Sequence, residues 1–375
     1  MTRLPEKVRK TLERILKKMR TRENVYGVGL FGSWSRGDAV PSSDVDLLVL
    51  DTSDFNYEYV ERKEIKGLFI DLDHIPKRWI RGCIPPEIDQ KLYEMQILYD
   101  RDWSLTNTKL LMVRHYGSPE RIAIRTEAHV IESDIYLSRA TSAFSREDFR
   151  SARLFATVAL ENIMKILTEI AREPMSNSRF VETLENSAGK LGMQNMYDEY
   201  LRITGLVRAE NATVNRRLRL FKQIWDEVNV ATKRNFSVLE SSHFKVKTKL
   251  KYYLSPAFLQ GVILRTKSLI DSGKIIEAAH YLNQILLHMV ENYLWLKSSI
   301  QKMKLDPTTM IRSLEKSEEK TPQNYRDSLE LLDLENINSR DAADTIEETK
   351  EIMVKIRRER RPLIQNHLLK DQLKF

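Results

Sequence analysis

The sequence predicts an α+β protein. A small α/β domain with a mixed sheet is expected over residues 1–104, followed by two mainly α-helical bundles over 105–240 and 255–375. A basic linker or ribbon at 241–254 joins the bundles. Three observations carry this reading. A chain of 375 residues exceeds what one ordinary core holds. Its first hundred residues alternate between helical periodicity and short apolar runs, whereas from residue 105 the 3.6-residue period dominates. Glycine is scarce, 12 in all, yet Gly27, Gly29, Gly32 and Gly37 fall close together, so one spot in a helical protein needs unusual backbone.

Taken in order, residues 5–20 place Val8, Leu12, Ile15, Leu16 and Met19 on one helical face. Residues 25–31, 45–50 and 67–75 are short, bulky or β-branched runs and read as strands. Residues 51–66 read as a polar connection, and Pro85-Pro86 opens a helix at about 87–96. Helices follow over 127–144, 146–173 and 211–230. A loose internal repeat matches residues 140–152 with 266–278, each a helix end, a short turn and a helix opening on alanine (Ala152, Ala278). Between the bundles, Lys245, Lys247, Lys249 and Lys251 alternate with apolar residues. If extended, the stretch is an edge ribbon guarded by lysines, or a stripe for phosphates or RNA.

Composition narrows the function classes. With 42% hydrophobic and 30% charged residues the chain is globular, not disordered. No run approaches the length of a membrane span and no apolar leader follows Met1, so neither a span nor a signal peptide is expected. The single Cys83 excludes an intrachain disulfide framework and a multi-cysteine zinc site, and points to a reducing cytoplasm. The net charge of +8 is uneven. Residues 1–100 are neutral, with 17 basic and 17 acidic side chains, whereas residues 201–250 hold 11 basic and 4 acidic. Such a local excess is a modest argument for a polyanionic partner.

The chemistry concentrates after the first strand, in Phe31-Gly32-Ser33-Trp34-Ser35-Arg36-Gly37 and then Ser43-Asp44-Val45-Asp46. Glycine lets backbone approach a phosphate, a helix start directs N–H groups at it, and Ser33 adds a hydroxyl. Asp44 and Asp46, two apart at the start of a strand, project to one face. Paired carboxylates repel unless a cation lies between them, and an all-oxygen pair suits Mg²⁺. The strand at 67–75 offers a third carboxylate in Asp71, with Asp73 as the alternative, since acids in an apolar strand are costly without a partner.

Gly-Ser followed by Asp-x-Asp on the next strand resembles the signature of the DNA polymerase β-like nucleotidyltransferase superfamily. The likeness is greatest to minimal nucleotidyltransferases and kanamycin nucleotidyltransferase, and it covers the first hundred residues. The resemblance implies that Asp44, Asp46 and Asp71 bind two Mg²⁺ ions, with Mn²⁺ as the alternative, and that Asp71 helps activate an acceptor hydroxyl. It also implies that Gly32, Ser33, Arg36 and Ser43 contact the phosphates of ATP or another nucleoside triphosphate. AMP would pass to an RNA, protein or small-molecule hydroxyl, with pyrophosphate leaving. In kanamycin nucleotidyltransferase-like enzymes a helical glutamate can act as base, and Glu127 and Glu132 lie in the corresponding stretch. The active site is then expected between the α/β domain and the first bundle, and the bundles offer surfaces for a homodimer. Arg361 and His367 faintly resemble the Arg-x(4–6)-His motif of HEPN ribonucleases, although Pro362 should start or kink a helix there. Rival readings are a nucleotide- or partner-binding protein without turnover, and a toxin–antitoxin-type fusion.

Overall fold

The computed structural model describes residues 4–317 and 323–372, and side chains as far as residue 366 apart from 317–322. The chain divides into two compact units. One is Met1–Ser118 with His243–Arg265; the other is Pro119–Ser242 with Thr266–Phe375. The first is α/β. Its elements run α1 (Glu6–Arg20), β1 (Val25–Phe31), α2 (Gly32–Arg36), β2 (Val45–Asp51), β3 (Tyr59–Ile65), β4 (Leu68–Pro76), α3 (Asp89–Glu94), β5 (Gln96–Asp100) and α4 (Ser104–His115). The five strands form one mixed sheet in the order β3-β4-β2-β1-β5, in which only β2 and β4 are parallel.

Two of these strands lie where the sequence suggested otherwise. β3 occupies the expected polar connection, and β5 follows the helix that ends at Glu94. β3 escapes a hydrophobic-pattern reading because it is an edge strand none of whose residues is fully buried. It is joined to β4 by Lys66-Gly67, both with positive φ (54° and 69°), the conformation that a two-residue hairpin demands.

Period-2 alternation divides β2 between two cores. Val45, Leu47 and Val49 join Val8, Leu12, Ile15, Leu16 and Met19 of α1, the helix face expected from sequence. Leu48 and Leu50 join Ile88, Leu92, Met95, Leu105 and Met112 on the opposite face of the sheet. Asp46 and, on β4, Asp71 and Asp73 share the parity of this second face.

The remaining elements are helical: α5 (Pro119–Ser145), α6 (Phe149–Ala171), α7 (Phe180–Leu191), α8 (Gln194–Thr204), α9 (Asn211–Arg234), α10 (Phe236–Ser241), α11 (Phe244–Tyr253), α12 (Pro256–Asp271), α13 (Ile275–Gln301), α14 (Met310–Ser317), α15 (Gln323–Leu331) and α16 (Ser339–Gln372). The stretches expected as separate bundles, 105–240 and 255–375, fall mostly into one unit; residues 105–118 and 255–265 belong to the α/β unit. The lysine stretch is α11, a helix and not an extended ribbon. Its apolar residues also recur at helical spacing, so Leu250 and Tyr253 are buried, Phe244 stacks on Phe55, and the lysines divide between faces. α16 runs unbroken through Pro362, so no helix starts there. Arg361 is exposed on it, and the side chain of His367 lies outside the described residues.

The loose repeat has a structural counterpart. Asp148 N–H donates to Ala143 O (3.0 Å) and Glu147 N–H to Phe144 O (2.9 Å); Lys274 N–H to Leu269 O (2.8 Å) and Gly273 N–H to Ile270 O (2.9 Å) repeat the pattern. Glu147 and Gly273 both take positive φ in these two turns, which satisfy the last carbonyls of a helix in the same way. The following helices then exchange caps: Glu277 of α13 accepts from Val181 and Glu182 N–H of α7, while Ser151 Oγ of α6 accepts from Ile311 N–H of α14. Among the described residues no helix is long and apolar enough to cross a membrane.

Candidate active site

The site grows from the β1–α2 junction. Gly32 has φ +72°, and a Cβ placed on it would stand 2.3 Å from Asp46 Oδ2. Any side chain there would meet both backbone strain and the carboxylate, so glycine is required by Asp46 itself. The Gly32 N–H donates to Glu94 Oε1 at 2.8 Å. Glu94 gathers the rest of α2 as well: Arg36 Nη1 donates to its Oε2 at 2.7 Å and Ser35 Oγ to its carbonyl at 2.6 Å. Arg36 also pairs with Asp38 at 3.4 Å. Arg36 is therefore a tie between α2 and α3, a partner invisible in the local sequence. Ser43 is buried and its hydroxyl accepts from Val40 N–H at 2.9 Å, shaping the turn into β2. The Ser33 hydroxyl has no hydrogen-bond partner among the described residues.

β2 and β4 run parallel with Asp46 paired to Asp71, and Asp44 stands one residue ahead of β2 on the same face. The three carboxylates are thus brought together as their spacing suggested. Asp73 is set apart: it pairs with Leu48 in the register, and its carboxylate binds Lys91, which also holds Glu58. Burial pushes the Asp73 carboxyl up, against the pull of Lys91.

Two arginines that the sequence reading missed complete the cluster. Arg62 of β3 lies opposite Asp71 in the hairpin register; its Nε donates to Asp71 Oδ1 at 2.7 Å, and its Nη2 donates to Asp71 Oδ2 at 2.6 Å and also reaches Asp44 Oδ2. Arg265 of α12 binds the other oxygen of Asp44. From α11, the Tyr252 hydroxyl donates to Asp71 Oδ2 at 3.3 Å. Arg62 was recoverable: once Lys66-Gly67 is read as a two-residue turn, counting outwards pairs residue 62 with residue 71. Arg265, 221 positions from Asp44, left no such signal.

The electrostatics follow from this arrangement. Burial pushes the Asp46 carboxyl well above its ordinary range, and the charges of Asp44 and Asp71 add to the shift. Asp71 is also raised by burial, with Arg62 opposing. For Asp44 burial is outweighed by Arg62 and Arg265, and it falls below its usual value. Burial alone would depress Arg62, yet Tyr252, Asp71 and Asp44 hold it well above the ordinary guanidinium value.

As they stand, no three acidic, histidine or cysteine side chains among the described residues are arranged around one metal position. Arg62 sits between Asp44 and Asp71 instead. The donor set nevertheless suits a hard divalent cation. It consists only of carboxylates, a cationic group already bridges two of them, and the Asp46 carboxylate makes no hydrogen bond or ion pair among the described residues. Glu127 and Glu132 belong to the helical unit, where Glu127 is paired with Arg360 at 2.5 Å and Glu132 is exposed.

Comparison with known proteins bears on the α/β domain. Residues 12–95, which span the sheet as far as the end of α3 and contain Gly32, Ser33, Asp44, Asp46, Arg62 and Asp71, match the family described as nucleotidyltransferase domain. Among solved structures, a nucleotidyltransferase-like protein from Exiguobacterium sibiricum is 12% identical. The match covers 70% of this chain and 90% of that one, with a TM-score of 0.30. No curated protein matches the chain. The α/β domain that opens the chain is a nucleotidyltransferase domain of the DNA polymerase β-like superfamily.

Proposed function

We propose that the protein transfers a nucleoside monophosphate, AMP from ATP, to an acceptor hydroxyl and releases pyrophosphate. One observation carries the reading: Asp46 and Asp71 lie side by side in a parallel strand pair, with Asp44 beside them and a glycine turn shaped around Asp46. Asp44, Asp46 and Asp71 would hold two Mg²⁺ ions. When bound, these would neutralise the triphosphate and stabilise charge on the attacking and leaving oxygens. The chain's own work is then positioning. The Ser33 hydroxyl supplies a donor to the phosphates, whereas the Gly32 N–H is taken by Glu94 and Gly32 serves by leaving room. Asp71, held by Tyr252, would accept the proton from the acceptor hydroxyl.

The test is transfer of label from α-³²P-ATP with Mg²⁺ into the RNA, protein or small-molecule fraction of a cell extract. Label that reaches one fraction with the wild type and not with the Asp44→Asn/Asp46→Asn double variant supports the reading and identifies the acceptor class. A second reading, nucleotide binding without turnover, is favoured by the Arg62 bridge across Asp44 and Asp71. Nucleotide binding with no transfer into any fraction would decide for it.

A further inference from the structure

We infer that Arg62 is a displaceable counter-ion. It neutralises Asp44 and Asp71 in the nucleotide-free protein, and it must leave those oxygens before a divalent cation can take them. The inference rests on the nucleotidyl-transfer reading and adds to it a cation gate built into the chain.

The seat of Arg62 is constructed, as four observations indicate. Its side chain is only 4% exposed. Its guanidinium carbon stands 5.4 Å from the ring centres of both Tyr252 and Phe258, within the range of cation–π attraction. α12 carries Gly261 within its length, and a Cβ there would come within 2.7 Å of Arg62 Nη1. Glycine inside a helix is unfavourable relative to alanine, and here the missing side chain opens the space that Arg62 fills. Finally, α11 and α12 come from His243–Arg265, the late segment that belongs to the same compact unit as the sheet. It supplies Tyr252, Phe258, Gly261 and the second cation, Arg265.

Three carboxylates therefore face two arginines, and Asp46 is paired with neither. A guanidinium does not lose its proton in a protein and is weakly hydrated, so it is a permanent counter-charge that tolerates enclosure. It is also monovalent, and its contacts use Asp44 Oδ2 and both oxygens of Asp71, the atoms a divalent ion would need. Metal and Arg62 thus exclude each other, and metal binding is weak until something else takes over the guanidinium. The triphosphate, as the anion brought with the metal, has the charge to do so.

The experiment measures Mn²⁺ binding to nucleotide-free protein, by the loss of the free-ion EPR signal, for wild type, Arg62→Met, Gly261→Ala and Asp46→Asn. Arg62→Met removes the competing charge and should bind Mn²⁺ about tenfold more tightly or better, given the strength of a charge contact at this depth. Gly261→Ala keeps the charge but crowds its seat, and should shift affinity in the same direction; it also serves if Arg62→Met does not fold. A nonhydrolysable ATP analogue should tighten Mn²⁺ binding more in the wild type than in either variant. Equal or weaker Mn²⁺ affinity in the two variants, with binding still abolished by Asp46→Asn, would overturn the counter-ion role and leave the nucleotidyl-transfer reading standing. Binding indifferent to Asp46→Asn would overturn both.

Discussion

In the α/β unit the Asp46 carboxyl is driven well above its ordinary range, by burial first and then by Asp44 and Asp71. In the helical unit Glu161 is also enclosed, and burial pushes it in the same direction, yet Lys165 and His280 bring it down to about 2. The difference lies in the partners. Glu161 receives Lys165 at 3.0 Å, His280 Nε2 at 3.1 Å and the amide of Gln284. Glu169, nearby on the same helix, is likewise lowered despite burial, by His129 Nε2 at 3.7 Å and by Arg125 at 2.6 Å. Where buried acids hold helices together, the fold supplies each with donors. Where acids gather at the β2–β4 pair, it brings three carboxylates against two arginines and leaves one unmatched. A surplus of like charge opposes folding, so it marks the region arranged for something other than stability.

The largest effects should separate the two regions most sharply. Asp46→Asn should reduce nucleotidyl transfer by about 10²–10³-fold or more, the scale of losing one placed charge in a catalytic site. Its melting temperature should hold or rise, because the substitution removes a charge that burial and its neighbours disfavour. A fall of several degrees would mean that Asp46 is a structural acid like Glu161. Glu169→Ala is the reverse case. It strips a buried partner from Arg125, which is 3% exposed, and should cost about 3–5 kcal/mol in denaturant unfolding. The transfer rate per folded molecule should stay close to that of the wild type.

The same contrast explains how far the sequence could be read. The α1 face, β1, β2 and β4 follow from local period, and so does the meeting of Asp44, Asp46 and Asp71, because alternate residues on adjacent strands must share a face. What escaped depended on pairing over distance. β3 reads Tyr-Val-Glu-Arg-Lys-Glu-Ile on an edge, with four charged residues in a row between Val60 and Ile65, so no hydrophobic alternation marks it, and Arg62 is lost with it. Arg36 was read as a phosphate contact because its partner Glu94 stands 58 residues away. The lysine stretch reads from sequence as a linker or extended ribbon and is instead the helix α11, since apolar residues that alternate singly with lysine also recur at i and i+4, and Leu250 and Tyr253 are buried. The repeat was legible only at its turns, and the exchange of caps between α6–α14 and α13–α7 required the tertiary structure.

Acid titration gives a finer test. The folded value of Glu161, about 2, lies below its ordinary 4.5, so its contribution is present above about pH 4.5 and is lost as pH falls towards 2. The shift corresponds to stability on the order of 3 kcal/mol. Urea unfolding of wild type and Glu161→Gln should therefore differ at pH 7 and converge towards pH 3. A gap that stays constant over this range would show that the ionised state of Glu161 is not what its partners stabilise.

The smallest expected effect lies at Gly32, where the two regions' rules meet in one residue. Alanine there must adopt φ +72° and place its Cβ 2.3 Å from Asp46 Oδ2. The backbone conformation alone should cost about 1–2 kcal/mol. The displaced carboxylate should lower Mn²⁺ affinity along with activity. Gly37 offers the control, since its φ is +89° but a Cβ there would meet nothing within 4 Å. Gly37→Ala should lose a similar amount of stability and keep its Mn²⁺ affinity. If the two variants behave alike in metal binding, the close approach to Asp46 is incidental, and Gly32 is a turn residue and no part of the site.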